Sequence, residues 1–321
     1  MESDLMTALS GSFVVVNFGA GGDVDYNLPL SFLKTMTLIE ADGGRQPIHT
    51  NDQYHNKYTV HDIIAGNKIP QRFTLRKYWG CSSIYEPKQD LIRQYGLEDY
   101  FEAESFKDIV PITLPEILND YGLGSVDYLK TDLEGVDFEV IKSCENYMDQ
   151  ILAIKCELRF QPFYHGEPFF HEVVDYLGQF DFELIGLKPV YWKPVTAHRK
   201  DHRDGRVVFA DCLFLKKVDV VRRLSKDKVA LAAAKQVIIA AMSRKKCYAE
   251  WLLDQYRDIL PEKWQEEVGA LVVPRPLHGR IEQVLKGFAL VSSRIKQRIR
   301  RTMRDRKGEK RFDGSYVAPG E

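Results

Sequence analysis

The sequence predicts a doubly wound α/β fold. Short β-branched runs alternate with helical patterns through about Lys217, and several runs are apolar on both faces. A glycine-rich turn follows the first of them. Strands are expected at Phe13–Asn17, Met36–Glu40, Tyr58–Ile64, Val126–Asp132, Ile151–Leu158, Phe182–Leu187 and Val207–Leu215. Runs apolar on both faces are what central parallel strands buried under helices require. Helical periodicity covers Asp25–Lys34, Leu114–Tyr121, Gly135–Tyr147 and Phe169–Phe180. After Val218 strand-like runs give way to helices at Ser225–Met242, Cys247–Leu260, Glu262–Val272 and Leu277–Met303, with Pro274 and Pro276 breaking the last two apart. The expected division is residues 1–217 as an α/β domain, 218–307 as a helical extension and 308–321 as a disordered tail.

Composition sets bounds on this reading. The chain has 321 residues, 44% hydrophobic and 12% aromatic, enough apolar content for one large domain with a smaller addition. Its net charge is −1, but Arg294–Arg311 holds ten Lys/Arg against Asp305 and Glu309, leaving an acidic body. Five scattered cysteines without a C-x-x-C pair argue against disulfides and zinc, and point to a reducing, cytoplasmic setting. The opening segment has neither a basic region nor a long apolar core, so no secretory signal is expected. The apolar stretch Val229–Met242 is too short to span a bilayer and is broken by Lys235 and Gln236.

The first strand runs into Asn17-Phe18-Gly19-Ala20-Gly21-Gly22-Asp23. Glycines here let the backbone approach a ligand closely, although a tight strand-to-helix turn needs them too. The third glycine of a dinucleotide fingerprint is missing, because Val24 occupies that position. Glu40 ends the second strand, where an acid can accept hydrogen bonds from ribose hydroxyls; an ordinary loop acid is the plain alternative. With no Walker lysine, a nucleoside without phosphates suits this loop better than NAD or ATP.

The most specific segment is Asp127-Tyr128-Leu129-Lys130-Thr131-Asp132-Leu133-Glu134-Gly135. A buried strand here delivers Lys130, Asp132 and Glu134 to its carboxyl end, the edge at which open α/β sheets bind ligands. A helix start rich in acids would explain Glu134 and Asp137, but not Lys130.

This segment resembles the hallmark of the FkbM-type family of S-adenosylmethionine-dependent methyltransferases, D-[FY]-[LI]-K-x-D-x-E-G. The likeness extends to Ser82-Ser83, Thr113-Leu114, Ile154-Lys155-Cys156-Glu157 and Ala210-Asp211-Cys212-Leu213-Phe214, covering about residues 12–217. It implies a seven-stranded, Rossmann-like class I methyltransferase sheet whose last strand is antiparallel. It further implies S-adenosylmethionine as cofactor, with Asn17, Gly19 and Gly21 near its methionine part, Glu40 on its ribose and Asp132 near the transferred methyl. The family commonly has Asp where Asn17 stands; an Asn keeps a hydrogen bond to the cofactor's ammonium and loses the charge attraction.

A hydroxyl acceptor needs a base for its proton, and Asp132, Glu134, Glu157 and His165 are the candidates. For His165 a surface loop role is the plain alternative. Asp132 with Glu157 would also suit Mg²⁺, although two carboxylates alone establish no metal site. Ser83, Lys130, Glu157 and Trp192 are expected to face the acceptor, with Trp192 and Tyr191 stacking on a sugar ring. The expected reaction is O-methylation of a sugar, glycan or small metabolite. The alternatives are a nucleic-acid methyltransferase or a cofactor-fold scaffold. Leu290, Val291, Ile295 and Ile299 recur at helical spacing among arginines and lysines, a pattern that suits peripheral membrane contact, nucleic acid, or a capping helix with a solvated face. Oligomeric state is not readable.

Overall fold

The computed structural model describes residues 4–19, 28–42, 53–198 and 204–272. Its centre is a seven-stranded sheet built from β1 (Phe13–Phe18), β2 (Met36–Ala41), β3 (Asn56–Val60), β6 (Tyr128–Lys130), β7 (Ala153–Arg159), β8 (Phe182–Trp192) and β9 (Arg206–Lys216), in the order β3-β2-β1-β6-β7-β9-β8. The first five in that order are parallel; β9 inserts antiparallel between β7 and β8. This is the expected doubly wound, Rossmann-like sheet with its antiparallel last strand. The parallel strands need crossovers, and their uniform burial explains the runs without alternation: all six residues of β1 and of β2 are buried.

Side-chain parity sorts the core into two layers. Val14, Val16, Ile39, Leu129, Ile154 and Cys156 point to the face covered by α5 (Leu114–Asp120), α6 (Asp137–Ser143) and α7 (Phe170–Gln179). At the start of α5, Glu116 reaches back to accept the Thr113 N–H, the capping box that fixes where the helix begins. Phe13, Val15, Met36, Leu38, Leu213 and Leu215 point to the opposite face, against α1 (Leu5–Leu9), α2 (Leu30–Leu33), α9 (Lys226–Met242), α10 (Lys246–Gln255) and α11 (Glu262–Val272).

The helices after Lys217 therefore share the core of the sheet, and the compact unit runs to Val272. The change of composition at Val218 marks a change of element type, not a second core. A short helix, α8 (Val218–Arg222), makes the turn. Every residue of α9 from Ala233 to Met242 is buried, which is why the helix is apolar nearly all round. Its two polar interruptions are both paired: Lys235 with Asp127, and Gln236 with the Lys216 carbonyl and the Tyr256 hydroxyl.

Some elements depart from expectation. A separate hairpin of β4 (Gln71–Arg76) and β5 (Ala103–Ile109) is absent from the sequence reading, because β5 is almost wholly exposed and carries no alternating apolar pattern. The segment connecting its two strands carries two short helices, α3 (Gln89–Tyr95) and α4 (Glu98–Phe101). Strand β6 is only three residues long. β8 reaches Trp192, pairing along β9 as far as Arg206. Residues 25–27 of the helix expected at Asp25–Lys34 lie outside the described residues, as do Leu277–Met303, the basic run Arg294–Arg311 and the tail 308–321. No helix among the described residues is long and apolar enough to cross a membrane. Cys144, Cys156 and Cys212 are buried and unpaired, acting as small core hydrophobes.

Candidate active site

A polar row runs across the carboxyl ends of β2, β1 and β6 to the middle of β7. Glu40 pairs in register with Asn17, Asn17 with Lys130, and Lys130 with Lys155, so the four side chains share one level and one face of the sheet. Lys130 Nζ donates to Asn17 Oδ1 at 2.9 Å, leaving the buried Asn17 Nδ2 as a donor with no partner among the described residues. Burial lowers the pKa of Lys130, against the opposing pull of Asp132. Glu40 is 1% exposed and forms an ion pair with Lys57 of β3 at 2.9 Å.

The turn after β1 meets the turn after β6 backbone to backbone. The Asp132 N–H donates to the Phe18 carbonyl at 3.1 Å, and Gly19 has φ +75°. A Cβ on Gly19 would lie 1.9 Å from the Asp132 carbonyl oxygen. The glycine is therefore demanded by the closeness of these two turns as well as by its left-handed backbone. Gly21 lies outside the described residues.

Beyond the polar row stand three carboxylates. Asp132, Glu134 and Glu157 each place an oxygen within 4.8 Å of the others. Glu134 sits at φ +49°, and the following Gly135 at φ +95° is packed against Tyr164 and Glu167. This left-handed pair turns the Glu134 side chain back over the strand end, and the buried Ser83 hydroxyl fixes it by donating to the Glu134 carbonyl at 2.8 Å. From α6, Asp137 accepts the Leu133 N–H of the same turn, and burial lifts its pKa to about 6.

Arg159 lies beneath the cluster, buried, and joins Glu157 at 2.7 Å, Glu134 at 3.1 Å and Glu167 at 3.0 Å. Phe209 backs its guanidinium at 4.7 Å. Glu167 also accepts the N–H groups of Phe163 and Tyr164, and the Tyr164 hydroxyl reaches Glu134 at 3.3 Å. One guanidinium cannot neutralise this many acids, so protons are retained. Burial raises Glu134 to about 8 against the pull of Arg159, with Asp132 and Glu167 adding to the rise. Glu157 is also raised well above its ordinary value, again by burial first and then by Asp132 and Glu134. Asp132 differs. Its side chain is exposed and takes no hydrogen bond or ion pair from the described residues. Its pKa is raised, by desolvation first and also by Asp211, against the pull of Lys130.

Of the residues singled out from sequence, Asp132, Glu134 and Glu157 converge here, Lys130 stands one level below, and Ser83 acts through the Glu134 backbone. His165 is exposed; its neighbour Tyr164 is the one that turns inward. Trp192 packs edge-on against Phe163, Tyr95 and Phe209, with centroids 4.8, 5.5 and 5.8 Å away, so its ring belongs to an aromatic core behind Arg159. Arg159 was missed, yet it follows Glu157 by two residues on β7, the spacing that puts both side chains on one face. Nothing comparable announces Tyr164 or Glu167.

Residues 62–184 match the family model of the methyltransferase FkbM domain. This stretch of the chain is similar to the methyltransferase FkbM domain. The matched span includes β6, the carboxylate turn and β7, whereas β1, β2 and β9 lie outside it. No curated protein matches the chain. Among solved structures, an uncharacterized protein from Listeria monocytogenes serotype 4b matches at 7% sequence identity and a TM-score of 0.25, over 84% of this chain and 94% of that one; so distant a likeness supports no inference. Ligands of open α/β sheets bind at the carboxyl ends of the strands, the edge at which the carboxylate turn lies.

Proposed function

We propose that the chain transfers a methyl group from S-adenosylmethionine to a hydroxyl of a sugar, glycan or small metabolite, with Asp132 as the base. The observation that carries this reading is the contrast within the cluster. Arg159 holds Glu134 and Glu157, while Asp132 alone is free and exposed. A carboxylate whose proton affinity is raised accepts a hydroxyl proton more readily than an ordinary one, and a base in hydrogen-bonding reach of the acceptor supplies part of the rate. Glu134 and Glu157, fixed by Arg159, orient the acceptor's hydroxyls.

The polar row suits the cofactor in part. Gly19 keeps the first turn free of side chain, and the unpartnered Asn17 Nδ2 offers a donor to a carboxylate. Lys130 already occupies Asn17 Oδ1, so an ammonium group would have to share that oxygen. Glu40 would hold the ribose after sharing or releasing Lys57. The bound cofactor supplies an electrophilic methyl for in-line displacement; alignment in the site does the rest. The carboxylates fit Mg²⁺ poorly, because Arg159 already lies against two of the three.

Isothermal titration of the full chain with S-adenosylmethionine should show 1:1 binding. A radiolabelled methyl screen over glycosides and hydroxylated metabolites should then find an acceptor that Asp132→Asn does not methylate. Absence of cofactor binding would sink the reading.

A further inference from the structure

Resting on that reading, we infer that the acceptor is a carbohydrate, and that its ring stacks on Trp79 at the lip of the carboxylate cluster, not on Trp192. Trp79 opens the 3-10 turn Trp79–Cys81 that follows β4. The end of this turn and the residues after it are bound to the site: the Cys81 carbonyl accepts the Tyr164 hydroxyl at 3.1 Å, the same hydroxyl that lies 3.3 Å from Glu134, and Ser83 donates to the Glu134 carbonyl at 2.8 Å. The indole is nevertheless 45% exposed. Tyr78 lies beside it at 6.2 Å between ring centroids, with Tyr100 edge-on to Tyr78 at 5.4 Å. Burial, and then Cys81, raise the Tyr78 hydroxyl's pKa, with Glu134, Tyr100 and Asp132 adding to the rise.

An exposed indole on a turn tethered to hydrogen-bonding carboxylates supplies the two contacts a sugar ring requires. Its C–H face stacks on the indole while its hydroxyls reach the acids. A planar phenol would use the aromatic face and leave the additional carboxylates without hydroxyl partners. Trp192 is less available, because edge-on contacts with three aromatic neighbours hold it partly buried.

The test is saturation-transfer NMR of the full chain with a panel of methyl hexopyranosides, in the presence of S-adenosylhomocysteine, repeated with Trp79→Ala and Trp79→Phe. Glycoside signals should appear for the wild type and Trp79→Phe and weaken about tenfold or more in Trp79→Ala, with the circular dichroism spectrum and cofactor affinity unchanged. In turnover with a glycoside acceptor, Trp79→Ala should raise KM by a similar factor and leave kcat nearly intact. Equal binding by wild type and Trp79→Ala would overturn the inference, as would no hexopyranoside binding by a chain that binds cofactor. Trp79-dependent sugar binding without methyl transfer would remove the O-methylation reading and keep the platform; transfer indifferent to Trp79 would do the reverse.

Discussion

Lys235 Nζ lies 2.9 Å from both carboxylate oxygens of Asp127, joining the buried middle of α9 to the residue that opens the β6 motif. Asp127 also accepts the Val14 N–H at 2.8 Å, so one carboxylate ties β1, the start of β6 and a helix from the far end of the compact unit. Both partners are buried, with side-chain exposures of 8% and 9%. Removing one charge of such a pair strands the other in a medium that cannot solvate it. Lys235→Met is expected to lower unfolding free energy by about 3–5 kcal/mol. Adding Asp127→Asn should recover part of that loss, as urea midpoints of the two variants will show.

Asp132→Asn keeps the size of the side chain and removes the free carboxylate. If Asp132 takes the acceptor's proton, the rate of methyl transfer should fall about 100- to 10,000-fold. The acceptor KM and the unfolding midpoint should move little. Steady-state kinetics on the best acceptor checks this; a loss carried wholly by KM would make Asp132 a binding group instead.

What was legible in the sequence follows from the range of the interactions. β1, β2, β7 and β9 are buried on both faces, and burial writes itself into local composition. β5 has six exposed residues out of seven and reads as a loop. The α9 helix was plain, but its place in the core was not, because the partner of Lys235 stands 108 positions away. Within the site, the strand order delivered Asp132, Glu134 and Glu157 together as their places at strand ends implied. The choice of Tyr164 over His165 depends on parity in an irregular segment, which periodicity cannot supply. Trp192 and Trp79 are exchanged for the same reason: exposure of an aromatic ring is decided by remote neighbours, here Tyr95, Phe163 and Phe209 against an open turn.

Gly19→Ala puts a methyl group where the Asp132 carbonyl oxygen stands, on a backbone at φ +75°. The left-handed backbone alone costs about 1–2 kcal/mol for a side-chain-bearing residue, and the clash adds to it. Since the neighbour is backbone, relief requires the two turns to part, displacing Asp132. The variant is expected to unfold at lower denaturant and to lose methyl transfer together, whereas Gly122→Ala, also at positive φ but with open space around it, should lose only stability.

Glu134 gives the site a pH signature. Its pKa in the folded chain is raised from an ordinary 4.5 to about 8, burial being the first cause. Between those values the native state binds more protons than the unfolded chain, so this group's stabilising contribution is full below the lower value and is lost as pH rises through the upper one. Asp137, raised to about 6, acts with the same sign over a lower window and is present in both proteins to be compared. Glu134→Gln stays neutral throughout and lacks the loss. The wild-type unfolding midpoint should therefore fall relative to Glu134→Gln as buffer moves from about pH 5 to about pH 8.5, in proportion to the proton difference. A constant gap between the two proteins across that range would mean that Arg159 keeps Glu134 ionised, and that the retained proton resides on Glu157 or Asp132.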